Sequence, residues 1–129
     1  MNTSRQQLIE LTYKFMESFN TNNLDDVMAF FSEGAIYDEF NGRRNEGKDA
    51  IRRALEPQFS GNFGVMQFLD EDLFVDADSG KVMVSWQCKL ELKGQPVFWH
   101  GLDLLHFNGD TVVQKLTYAK SKAPLFHDC

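Results

Sequence analysis

Lys81-Val82-Met83-Val84-Ser85-Trp86-Gln87-Cys88-Lys89-Leu90-Glu91-Leu92 decides the fold. Val82, Val84, Trp86, Cys88, Leu90 and Leu92 alternate with Met83, Ser85, Gln87, Lys89 and Glu91. A period of two with one wet face is a half-buried antiparallel strand. Turn signals bracket it: Asp78-Ser79-Gly80, Lys93-Gly94-Gln95 and, further on, Asn108-Gly109-Asp110. They divide the second half of the chain into four long strands, over 63–77, 81–92, 96–107 and 111–120. Consecutive strands joined by tight turns make an antiparallel meander.

Upstream the period changes. Leu8, Leu11, Thr12, Phe15 and Phe19 have the spacing of one helical face, and Ile9, Tyr13 and Met16 widen the stripe. Ser4 with Gln7, and Thr3 with Gln6, are capping-box pairs at its start. Asn20-Thr21-Asn22-Asn23 breaks the pattern and caps a second helix, Leu24 to Phe31, with Asp25 and Asp26 in its first turn. Gly34 ends that helix, and 35–40 reads as a strand whose Asn41-Gly42 turn leads into a short hairpin partner. Gly47 opens a third helix, Lys48 to Glu56, stopped by Pro57. Helices first and strands after give a single α+β domain over 1–129.

Composition narrows the function classes. The net charge of −6 argues against a nucleic-acid footprint, which needs clustered Lys and Arg. No apolar stretch approaches the roughly 18–20 residues of a membrane span. The polar start, Met1 to Gln7, does not read as a signal peptide, and Cys88 and Cys129 form no CxxC, so the chain reads as cytosolic. Twelve Phe in 129 residues either pack densely or line a cavity, and composition does not choose between them. His100, His106 and His127 are scattered and have no metal-ligand spacing, so no metal is expected. With no phosphate-binding or dinucleotide loop, no cofactor is expected either.

Asp103 is the most informative residue. It stands in mid-strand among Leu102, Leu104 and Leu105, without a basic neighbour in sequence. A carboxylate there must be hydrogen-bonded, paired or protonated, which makes it either an acid–base group or an internal structural pair. His100 and His106 lie on the opposite strand face unless a bulge at Gly101 turns His100 inward. Asp38 and Glu39 close the first strand and face opposite sides. If the Ile36/Phe40 face is buried, Asp38 points in; if Glu39 points in, Tyr37 accompanies it. Trp86, Cys88 and Trp99 fall on inward faces, and Tyr13 and Met16 on the first helix join them as candidate lining. The third long strand is apolar on both faces, so its outer face (Phe98, Leu102, Leu104) predicts a homodimer through the sheet.

Several local strings carry a resemblance. Asn20-Thr21-Asn22-Asn23-Leu24-Asp25-Asp26, Phe30-Phe31-Ser32-Glu33-Gly34-Ala35, Gly47-Lys48-Asp49-Ala50-Ile51-Arg52, and His100-Gly101-Leu102-Asp103 with Phe107-Asn108-Gly109-Asp110 occur in that order. Together they resemble the SnoaL-like/ketosteroid-isomerase-like group of the nuclear transport factor 2-like superfamily, over about residues 5–120. The resemblance implies a cone: three N-terminal helices packed in a strongly curved antiparallel sheet, a deep apolar pocket, and homodimers. In ketosteroid isomerases a strand carboxylate is the base, while a tyrosine and a protonated aspartic acid polarise the substrate carbonyl. The aligned strings put Asp103 at that aspartic acid and Glu39, with Asp38 beside it, at the base. The tyrosine position falls on Met16, with Tyr13 one turn away, which argues against steroid isomerisation itself. The resemblance thus implies a small-molecule-binding protein or a cofactor-independent acid–base catalyst (isomerase, cyclase, hydrolase or dehydratase type) acting on a small apolar substrate. The alternative is a non-catalytic ligand-binding or dimerisation module. The tail residues Pro124-Leu125-Phe126 are placed to fold back over the pocket mouth or the dimer edge.

Overall fold

Ser4 opens the first helix as the sequence predicts. Its hydroxyl accepts from the Gln7 backbone N–H, and the Gln7 side chain accepts from the Ser4 N–H. Thr3 is used differently, donating to the Gly109 carbonyl in the last turn of the meander at 2.9 Å. The structure, a computed structural model, describes residues 3–129. Its elements are α1 (Arg5–Ser18), α2 (Leu24–Met28), β1 (Phe31–Asp38), β2 (Arg44–Glu46), α3 (Lys48–Phe59), β3 (Gln67–Asp76), β4 (Lys81–Leu92), β5 (Gln95–Asn108) and β6 (Thr111–Lys120).

Three boundaries differ from the sequence reading. α2 stops at Met28, because Phe31 is already in β1 and the carbonyl of Phe30 accepts from the Val112 N–H. Gly34 therefore lies inside a strand rather than ending a helix, in the stretch where the β1–β6 register shifts. α3 runs through Pro57 to Phe59: proline in the final turn forfeits one hydrogen bond without ending the helix. β3 begins at Gln67, not 63.

The six strands form one curved sheet in the order β2-β1-β6-β5-β4-β3. The meander from β3 to β6 is antiparallel, but β1 enters beside β6 in parallel. That single parallel pair sets Tyr37 directly against Lys115. The helices fill the concave side, with Phe15 at the centre in edge-to-face contact with Phe19, Phe30 and Phe31 at 5.2–5.5 Å. Leu8, Val27, Ile51, Leu55, Val84 and Leu105 are fully buried around it. Phe15, Phe19, Phe31 and Phe107 thus pack in the core, while Phe40, Phe74, Phe98 and Phe126 are exposed.

Candidate functional site

The inner wall of the cone is built from alternate residues of five neighbouring strands. Asp103 is buried on β5, and its ladder partner on β6 is Thr117. Asp103 Oδ1 accepts from the Thr117 hydroxyl at 2.6 Å and from Lys115 Nζ at 3.1 Å, while Oδ2 accepts from Trp86 Nε1 at 3.2 Å. Lys115 Nζ also donates to Thr117 Oγ1 at 2.7 Å and stands 4.5 Å from the centroid of the Tyr37 ring. Three donors, one of them cationic, converge on Asp103, so both of its oxygens accept hydrogen bonds.

Lys115, like Thr117 and Asn45, is a cavity-side residue that the sequence reading missed. A strand that alternates from the buried Val112 assigns Gln114 and Leu116 to the inner face and turns Lys115 outward. The β5–β6 ladder shifts register between the His106 and Phe107 rungs, and both Val112 and Lys115 end up buried. Burial pushes the ammonium down, but the carboxylate of Asp103, the Tyr37 phenol and Glu39 outweigh it and hold its pKa above the ordinary lysine range.

Gly101 has a different use from the bulge considered above. The β4–β5 ladder passes through it without a shift, so His100 stays outside and pairs with Glu71 at 3.0 Å. A Cβ on Gly101 meets the Trp86 ring and the Tyr118 carbonyl oxygen, each at 2.5 Å. Only a hydrogen there lets the indole lie against β5 and reach Asp103 with its N–H.

On β1 the choice falls to the Tyr37/Glu39 face. Tyr37 is buried, and Asn45, its partner on β2, donates to the Tyr37 carbonyl at 3.2 Å and to Glu39 Oε2 at 3.1 Å. Burial raises the Tyr37 phenol above its ordinary pKa against the pull of Lys115. Asp38 points outward and forms a two-pronged pair with Arg44 (2.8 and 2.9 Å), whose hydrogen bonds lower its pKa. It is therefore not an inward carboxylate.

Glu39, Tyr37, Asp103, Lys115, Thr117, Met16, Trp86 and Trp99 meet around one inner cavity. Its volume is about 70 Å³, with Phe19, Phe40, Phe68 and Met66 filling the space around it. The resemblance implies a deep pocket; the cone is instead largely plugged by aromatic side chains. Two expected lining residues are elsewhere. Tyr13 lies on the wet side of α1, 48% exposed, and Cys88 is sealed in the core. Burial pushes the Cys88 thiol up to about 11, against the pull of the neighbouring Trp99 indole, so it is no ready nucleophile. The indole N–H of Trp99 is buried without a hydrogen-bond partner among the described residues. The tail folds back as far as the β1–β2 turn, where the His127 ring sits on Gly42.

No group of three metal-ligating side chains occurs among the described residues, and none of their helices is long and apolar enough to cross a membrane. Both cysteines are free.

Solved structures share this fold at low sequence identity. A putative polyketide cyclase from Xanthomonas campestris pv. campestris superposes with a TM-score of 0.80 at 18% identity, covering 90% of this chain and 92% of that one. AusH from Aspergillus nidulans gives 0.82 at 17% identity, covering 93% and 88%. The epoxide hydrolase/cyclase-like enzyme SalBIII, of pyran ring formation in the polyether salinomycin, gives 0.81 at 15%, covering 91% and 93%. No curated protein matches the chain. The SnoaL-like domain family matches residues 13–115, most of the chain and every element from the second half of α1 to the middle of β6. The chain belongs to the SnoaL-like domain family.

Proposed function

We propose that this protein is a cofactor-independent acid–base catalyst that moves a proton at a carbon next to a carbonyl in a small, largely apolar molecule. The observation that carries the reading is Glu39. It is the one cavity carboxylate not engaged by the ammonium, and Asn45 holds one of its oxygens while Oε1 has no hydrogen-bond partner among the described residues. Tyr37 and Lys115 line the same cavity. In this reading Glu39 takes the proton, and the enolate oxygen is stabilised by the Lys115 ammonium and the Tyr37 hydroxyl. Glu39 then returns the proton to another carbon (isomerisation), to the alkoxide formed when the enolate carbon bonds to a second carbonyl carbon (ring closure), or to a leaving oxygen (elimination). Asp103, which the resemblance cast as the proton donor, instead holds the ammonium in place with Thr117 and Trp86. The polyketide cyclase and epoxide hydrolase/cyclase-like neighbours are compatible with such chemistry, but their likeness speaks for the fold alone.

The test is a binding comparison. A phenol mimics the enolate and its methyl ether does not. Both tryptophans line the cavity, so intrinsic fluorescence reports occupancy directly. 4-Methylphenol is expected to bind at least about ten-fold more tightly than 4-methylanisole, the order of one charge-assisted hydrogen bond. Equal binding, or a preference for the ether, sinks the proposal.

The homodimer belongs to the same proposal. Phe98, Phe74 and Tyr118 are 62%, 66% and 54% exposed, with Leu102 and Leu104 half-buried on the outer face. Sedimentation equilibrium of the wild type and Leu102→Glu is expected to give dimer and monomer respectively; a monomeric wild type removes this part.

A further inference from the structure

The inner cavity and the groove outside it differ in size and chemistry. The inner space is about 70 Å³, half of an engineered cavity of about 150 Å³ that just accepts benzene. It takes the oxygen end of a molecule, with the rest of a ring or chain left at its mouth. A groove of about 520 Å³ adjoins the cavity and shares Glu39, Phe40, Gln58, Met66 and Trp99 with it. That volume lies in the usual range for small-molecule sites, roughly 300–1,000 Å³. The rest of the groove is apolar: the end of α3 (Ala54, Pro57) forms one side, and Leu90, Leu92, Val97 and Phe98 of the β4–β5 hairpin form the other. Glu39, at the inner end, is the only charged residue among the described residues that touches it.

From this geometry we infer that the substrate is an elongated, uncharged molecule with a single small oxygenated head and an apolar chain. The inference rests on the acid–base reading above. The head enters the cavity, and the chain lies in the groove between α3 and the β4–β5 hairpin. Three observations select that occupant. The groove shares five lining residues with the cavity, Glu39 among them, so a molecule reacting at Glu39 can lay its body along it. Away from Glu39, the groove offers no charge among the described residues to pair with a phosphate, a carboxylate or an amine on that body. The aromatic plug of Phe19, Phe68 and Trp86 leaves no room for a compact fused-ring body inside the cone. Leu92, 48% exposed, then marks a stretch of wall the chain covers.

The test is a homologous series, 4-methyl- to 4-hexylphenol, titrated by tryptophan fluorescence against wild type and Leu92→Asp. Leu92 is an exposed strand-end residue, so its variant is expected to fold, and circular dichroism checks this. Each added methylene is expected to tighten wild-type binding about three- to four-fold, the value of one buried methylene, until the groove is filled. Leu92→Asp is expected to flatten the slope. A flat wild-type series, or the same slope in both proteins, overturns the inference. So does a slope that disappears as protein concentration rises, because a second copy then occupies the groove. The hydroxyl-over-ether preference at 4-methylphenol reads the head alone, so failure of the acid–base site is separable from failure of the groove.

Discussion

Lys115→Met removes the buried cation without removing its volume, and its cost can be worked from the contacts. The Lys115 and Asp103 side chains are 6% and 2% exposed, so neither charge is screened by water. In the variant Asp103 keeps its bonds from Thr117 and Trp86 but loses the Lys115 counter-charge. Breaking a buried pair from one side typically costs about 3–5 kcal/mol, most of it the penalty of the stranded partner. A domain of this size is stable by roughly 5–15 kcal/mol, so about a fifth or more of the total is at stake. Asp103→Asn is expected to cost a similar amount, since it strands the ammonium. The double variant is expected to cost less than the sum, with a coupling of about 1–3 kcal/mol. Urea unfolding followed by tryptophan fluorescence measures all three. A loss below about 1 kcal/mol for Lys115→Met, the value of an exposed pair, refutes the claim that this network is dry and paired.

Other outcomes follow from the same geometry. The Lys115 pKa is raised in the folded state, so its contribution is whole below the ordinary 10.5 and is lost as pH climbs through the folded value; alkaline unfolding of the wild type is expected to steepen above 10.5, and Lys115→Met to lack that limb. Asp70 has the opposite sign: burial first, then Glu17 and Asp103, lift its carboxyl from 3.8 to about 6, so the folded state binds the extra proton and stability falls as pH rises from 3.8 to 6. Asp70→Asn is expected to be more stable than wild type at neutral pH and to lose that advantage below pH 3.8, measured by thermal melts across pH; a constant difference contradicts this. Gly101→Ala drives a methyl into Trp86 and the Tyr118 carbonyl; a loss of about 1–3 kcal/mol with an altered tryptophan emission is expected, and an unchanged spectrum refutes the close approach.

The sequence discloses the fold more fully than the site. Strict alternation in β4 and the turn dipeptides around it leave little freedom, and Ser4 and Asn23 cap the helices that their spacing assigns. Asp103 is legible as an inward carboxylate because a charge among leucines has few places to go. What holds it is not legible, since a register shift in β6 reverses the parity that alternation supplies, and Lys115 appears on the wrong face. Asp38 and Glu39 are separated only by which β1 face is buried; the parallel pairing with β6 and the fit of Asn45 on β2 settle that, and neither is a local property. Nor does composition say which of the twelve Phe pack in the core. That depends on Phe15 finding three aromatic neighbours at once.

The central claim is that Glu39 is a base beside a carbonyl-stabilising ammonium and phenol. Proton exchange tests it without knowledge of the natural substrate. A small enolisable ketone such as 4-phenyl-2-butanone, held in deuterated buffer with the protein, is followed by NMR. Wild type is expected to incorporate deuterium next to the carbonyl faster than buffer alone, and Glu39→Gln to lose about 10²–10⁴ of that acceleration while still binding the phenol. Exchange no faster than buffer, or exchange untouched by Glu39→Gln, contradicts the account.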